Sequence, residues 1–115
     1  MFVAIYCWRI KPGTEDQFRE GWRRVTETLY HHQGSLGSRL HRNFDGTWLG
    51  YAQWPDRKHW EKAREAAADS IKDGLQMMRD SVEDPASIDT PAFRLVVTDD
   101  YLRNAAYSIE MEQLP

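Results

Sequence analysis

Five side chains in the middle of the chain are of types that catalysis and ligand binding use. Arg39, His41 and Asn43 recur at every second residue, and Trp48 and Trp54 follow within a short run. Residues i, i+2 and i+4 of a strand share one face. Between the two groups lies Asn43-Phe44-Asp45-Gly46-Thr47-Trp48, where Asp-Gly between two strand-like runs is the strongest short-range hairpin signal. A two-residue Asp45-Gly46 turn pairs Asn43 with Trp48, His41 with Gly50, Arg39 with Ala52 and Gly37 with Trp54. On that register the five lie on one sheet face, with Gly50 and Ala52 leaving space among them. Arg supplies a fixed charge, His titrates near neutral pH and Trp offers flat apolar surface. The combination suits a planar, oxygenated aromatic ligand held by Asn43, Trp48 and Trp54. Arg39 would then stabilise developing oxyanion charge, and His41 would act as base. A one-residue slip moves these side chains to the opposite face. Two other settings accommodate the same residues: a subunit contact that buries Arg and Trp with satisfied hydrogen bonds, and a solvent-facing strand surface.

The elements that must position these residues are legible from end to end. Residues 2–10 are a β-branched and aromatic run stopped by Lys11-Pro12-Gly13. Both faces of that run are apolar, Phe2, Ala4, Tyr6 and Trp8 on one side and Val3, Ile5 and Cys7 on the other, so this strand needs cover twice. Thr14-Glu15-Asp16-Gln17 reads as a capping box that opens a helix running to about His32 before Gly34. Phe18, Trp22, Val25 and Leu29 form its sheet-facing stripe, and His31 and His32 suit its C-terminal dipole end. The hairpin strands follow. Asp56 caps a second helical stretch in which Trp60, Ala63, Ala67, Ile71, Leu75, Met78 and Val82 keep phase. Asp69-Ser70 and Gly74 are its candidate breaks, giving a short helix and then a longer one, and Asp84-Pro85 ends it. Residues 93–98 form the last strand. The order β-α-β-β-α-β is the ferredoxin-like α+β arrangement, one antiparallel sheet with helices on one face. The other sheet face stays apolar, which predicts a homodimer on burial grounds alone. Val3, Ile5, Leu40, Phe44, Leu49 and Tyr51 are expected near that contact. Residues 1–100 make the domain. Residues 101–115 form a tail in which Tyr107, Ile109 and Met111 suggest an arm laid on the partner's sheet edge.

Composition narrows the classes further. A chain of 115 residues points to one domain. The net charge of -3, with acids and bases mixed, argues against nucleic acid as a partner. No apolar run approaches the ~20 residues of a membrane span, and the N-terminus has neither the basic region nor the cleavage site of a signal peptide. A cytoplasmic setting follows. Cys7 alone forms no internal disulfide and reads as a small buried hydrophobe. No Cys pair, His-x-x-x-His or carboxylate–His cluster has metal-ligand spacing, and no Gly-rich nucleotide loop is present, so neither metal nor cofactor is expected. Five Trp and five Tyr exceed what a small core requires. They imply a semi-polar cavity or a Trp-rich subunit contact.

The segments Gly34-Ser35-Leu36-Gly37-Ser38-Arg39-Leu40-His41-Arg42, Asp45-Gly46-Thr47-Trp48 and Tyr51-Ala52-Gln53-Trp54-Pro55-Asp56, with Trp60 beyond, resemble the antibiotic biosynthesis monooxygenase family. So does the opening Tyr6-Cys7-Trp8-Arg9-Ile10-Lys11-Pro12-Gly13. The resemblance covers about residues 2–98. It implies paired sheets forming a dimeric α+β barrel, with a pocket between sheet and helices in each subunit, here closed by Trp22 and Trp60. Such families hold cofactor-free monooxygenases acting on polyphenols and quinols, haem-degrading enzymes, isomerases and proteins without known activity. The haem degraders are similar to one another in a first-strand Asn and a His in the second helical region. Here Ile5, Tyr6 and Cys7 fill the first stretch, and His59 stands only at the start of the second, so haem degradation is disfavoured. Two expectations stand side by side: a cofactor-independent monooxygenase for a small aromatic or quinol substrate, with His41 or Tyr51 as base, or a non-catalytic small-molecule binder.

Overall fold

A computed structural model describes residues 1–102. Strand β1 (Phe2–Trp8) leads to helix α1 (Glu15–His32), strands β2 (Gly37–Arg42) and β3 (Trp48–Trp54), helices α2 (Arg57–Ala66) and α3 (Ala68–Ser81), a 3-10 turn at Pro85–Ile88 and strand β4 (Phe93–Val96). The sheet has the order β2-β3-β1-β4, and every pair in it is antiparallel. This is the expected ferredoxin-like α+β fold. The arm expected within residues 101–115 falls beyond the described residues from 103 on.

Alternation along β1 assigns the two faces. Phe2, Ala4, Tyr6 and Trp8 are buried with the helix residues Phe18, Val25, Ala63, Ile71, Leu75 and Met78, which makes the core. The odd positions point away from the helices: Val3 is buried, Ile5 is half-buried and Cys7 is exposed, which corrects the expectation of a buried thiol. Leu40 is also corrected. Its partner across the ladder is Gly50 and it packs against the core cluster, so it lies on the helix side rather than the outer face.

Local capping is mixed. The Asp56 carboxylate accepts the His59 backbone N–H at 2.9 Å, as its position before α2 predicts. Thr14 makes no cap bond; its hydroxyl shares one proton between the carbonyls of Lys11 (2.7 Å) and Ser81 (3.1 Å). Gln17 donates to Met77 O at 3.1 Å. The expected capping box is thus spent on tying the start of α1 to the end of α3.

The helical break falls at Ala67, not at Asp69-Ser70 or Gly74. Gly74 has a different use. It faces Gly21 of α1 so closely that a Cβ on Gly21 would stand 2.7 Å from the Gly74 carbonyl oxygen and 3.0 Å from Met77 Cβ. Gly21→Ala gains up to ~1 kcal/mol of helix propensity but forces two backbones apart, an overpacking cost of about 1–3 kcal/mol. The clash is with backbone, so the cost prevails, and a fall in Tm of roughly 3–10 °C is expected by circular dichroism. An unchanged or raised Tm would show that the α1–α3 crossing yields freely.

Candidate functional site

The hairpin decides which side chains can meet. Its ladder pairs Arg39 with Tyr51, Leu40 with Gly50, His41 with Leu49 and Arg42 with Trp48, one residue off the expected register. The turn is a three-residue loop. Gly46 N–H donates to Asn43 O at 3.0 Å, and Asn43 N–H donates to Thr47 O at 2.8 Å. Gly46 has φ 90°, and no non-glycine residue among the described residues has positive φ. A two-residue type I′ turn needs positive φ at Asp45 as well; a type I turn closed by a left-handed Gly does not. The Asp45 carboxylate fastens this form, accepting the Thr47 hydroxyl at 2.6 Å and the Thr47 N–H at 2.9 Å, and those bonds hold its carboxyl below the usual range. The missed signal was Asn at the first and Gly at the fourth position of Asn43-Phe44-Asp45-Gly46, the type I pattern.

The five-residue constellation therefore does not form on one face. Arg39 and His41 are exposed on the outer side, bordering a groove of about 590 Å³ with Tyr51 and Gln53. Asn43 is exposed in the turn. Trp48 faces the helices but packs near Phe18, centroids 6.3 Å apart, with the Arg42 guanidinium 5.3 Å over its ring. Around the free edge of β2, Trp22, Arg39, His41 and Trp48 border one shallow depression that is open to solvent.

Three of the expected residues, Trp22, Trp54 and Trp60, do border one cavity of about 50 Å³ between sheet and helices. Tyr6 and Arg64, which sequence reasoning passed over, border it too. The space expected above Gly50 is filled by Trp8: a Cβ at Gly50 would collide with Trp8 Cη2. Trp8 is fixed there by its indole N–H to Ser87 O (3.1 Å), by stacking on Tyr6 (5.7 Å) and by the edge contact with Phe18 (5.0 Å). Along the wall, Trp60 Nε1 donates to the Tyr6 hydroxyl at 3.1 Å, and Phe2 lies 5.1 Å from the Trp60 ring. Tyr6 thus accepts one hydrogen bond and keeps its own proton to donate. Trp54 is buried, and its Nε1 has no partner among the described residues. No His, Asp or Glu borders the cavity among the described residues.

The described residues include no cluster of three His, Cys, Asp or Glu able to hold a metal ion, and no helix long and apolar enough to cross a membrane. A family model described as antibiotic biosynthesis monooxygenase matches residues 1–68, more than half of the chain. No curated protein matches it. Among solved structures, the Rv0793 protein of Mycobacterium tuberculosis is similar at TM-score 0.68 and 12% identity, covering 88% of this chain and 98% of that one. SnoaB, a cofactor-independent oxygenase from Streptomyces nogalater solved as a mutant, is similar at TM-score 0.67 and 12% identity, covering 89% and 97%. A conserved protein of Methanosarcina mazei follows at TM-score 0.62 and 11% identity, covering 71% and 81%. At these identities the likeness is one of fold.

Proposed function

Since this chain belongs to the antibiotic biosynthesis monooxygenase family, we propose that its helix-side cavity binds a small, planar, oxygenated aromatic molecule and that the protein is a monooxygenase on it. The observation that carries this reading is Trp54, a wall residue of the cavity whose buried Nε1 has no hydrogen-bond partner among the described residues. A buried donor without an acceptor costs about 1–3 kcal/mol, and a ligand oxygen would satisfy it. Tyr6 offers a second proton to the same ligand, and the rings of Trp22 and Trp60 supply its apolar walls. The cavity holds only a few waters against the roughly 300–1,000 Å³ usual for small-molecule sites, so an aromatic ligand enters only as a wall ring swings out. Trp22, half-buried, is the ring placed to do so.

Chemically, an electron-rich ring carbon bearing two hydrogens loses both and gains one oxygen atom from O₂. The other oxygen atom leaves as water, and the substrate supplies the electrons. Anthrone is a suitable probe. With isotopically labelled oxygen gas, the protein should speed formation of labelled quinone above the buffer rate. Trp54→Phe should weaken saturable quenching of tryptophan fluorescence by about 2- to 10-fold, as expected for one neutral hydrogen bond. The absence of His, Asp and Glu from the wall favours a second reading, a binder without turnover. Saturable quenching without acceleration would select it, and neither effect would dismiss the cavity as a site.

We propose further that the outer face carries a second copy of the chain, in a cytoplasmic setting where Cys7 stays reduced. Arg39 and His41 then belong to the subunit contact. Arg39→Ala and His41→Ala should leave the cavity's affinity for anthrone within about two-fold, because surface changes rarely exceed ±0.5 kcal/mol. A ten-fold loss would return both to the ligand.

A further inference from the structure

Arg64 stands at the rim of the cavity with an incomplete ionic partnership. It lies on α2 four residues after Trp60, so both side chains rise from the same helix face. Its guanidinium carbon sits 5.3 Å over the Tyr6 ring, and its side chain is 29% exposed, neither buried in the core nor free in solvent. Its ionic partner is Asp89, just beyond the 3-10 turn, at 3.2 Å from Nη1 to Oδ1. That carboxylate is already engaged. Arg79 reaches Oδ1 with Nη2 at 2.8 Å and Oδ2 with Nε at 3.4 Å, spanning both oxygens. Two guanidinium groups thus share one carboxylate. Arg79 has the two-point grip, and Arg64 has the longer, single bond to an oxygen already in use.

The cavity border carries this one charged group and no carboxylate among the described residues. The border's other polar side chains are neutral: the Tyr6 hydroxyl keeps a proton to donate, and Thr26, Ser38 and Tyr51 add hydroxyls that donate or accept. We infer that Arg64 makes this cavity selective for aromatic carboxylates: it leaves its shared place on Asp89 and forms a planar fork to the ligand's carboxylate, while Arg79 keeps Asp89 in place. The inference rests on the reading of the cavity as a ligand site and adds the ligand's charge to it. Arg is suited to the role because its fork matches two acceptor oxygens and its flat face stays stacked on Tyr6.

Calorimetric titration of the full chain with 1-naphthoate and with its neutral isostere 1-naphthamide tests this. Wild-type protein should bind the anion at least about ten-fold tighter than the amide, in the range of a charge-assisted hydrogen bond. Arg64→Gln should abolish that preference while leaving amide binding within about two-fold, since the walls that hold the ring are untouched. Arg64→Lys, which keeps the charge and loses the fork, should retain part of the preference and guards against a Gln variant that fails to fold. Equal binding of both probes by wild-type protein, or an unchanged preference in Arg64→Gln, overturns the inference and leaves the cavity reading standing. Binding of neither probe overturns both.

Discussion

Trp8→Ala is expected to be among the most destabilising single changes in the domain, at about 3–5 kcal/mol, the range for removing a buried Trp. Three features put Trp8 at the upper end. It is 4% exposed, it lies against Tyr6 and Phe18, and its indole bridges β1 to the Ser87 carbonyl across 79 residues of sequence. The void could not close by a small shift, because the residue beneath it is Gly50, which has no side chain to move in. The loss would be a large share of the roughly 5–15 kcal/mol that holds a typical domain folded. Urea unfolding followed by circular dichroism measures it, and a cost under about 1.5 kcal/mol would mean that neighbouring rings relax into the space. The same change bears on function: Trp8 also borders the cavity, so its removal should enlarge the pocket and admit bulkier rings at the expense of the fold.

What the sequence made legible follows from how far each signal reaches. Period-two alternation assigned Phe2, Ala4, Tyr6 and Trp8 to one face of β1, and all four are buried there. The helical stripe of α1 and the Asp56 cap also rest on neighbours within a turn or two, and both appear in the structure. The hairpin register depends instead on one backbone choice at Asp45, between positive φ and the right-handed region. The Asp45–Thr47 bonds tip it toward the second, and Arg39 and His41 change faces as a result. Cavity contents were the least legible. That Trp8 covers Gly50, that Tyr6 meets Trp60 and that Asp89 is shared by Arg64 and Arg79 are long-range pairings, which no local period encodes. At the cavity, only the spacing of Trp60 and Arg64 along one helix face was available beforehand.

Ile5→Asp is expected to raise the dissociation constant of the proposed homodimer at least about 100-fold, because it leaves a charge desolvated and unpaired at the centre of a subunit contact. The position follows from the ladder. Ile5 lies between Tyr51 of β3 and Phe93 of β4, with Val3, Leu49 and Leu95 on the same outer face, and no helix among the described residues covers that side. Phe93 and Leu95 are exposed at 56% and 43%, an apolar surface of the kind that subunit contacts bury. A stable contact there needs more than about 1,000 Å² of buried area in total. Sedimentation velocity at micromolar concentration should show a wild-type dimer and an Ile5→Asp monomer. A monomeric wild type, or a variant that dimerises as well, would refute the contact. The variant also separates the two candidate ligand sites. The helix-side cavity is walled by one chain, so the monomer should still bind 1-naphthamide within a few-fold of wild type. The groove beside Arg39 and His41 lies on the face that a partner would roof. If ligand binding disappears together with the dimer, that groove is the site, and the catalytic pairing of Arg39 with His41 would have to be sought across the subunit contact.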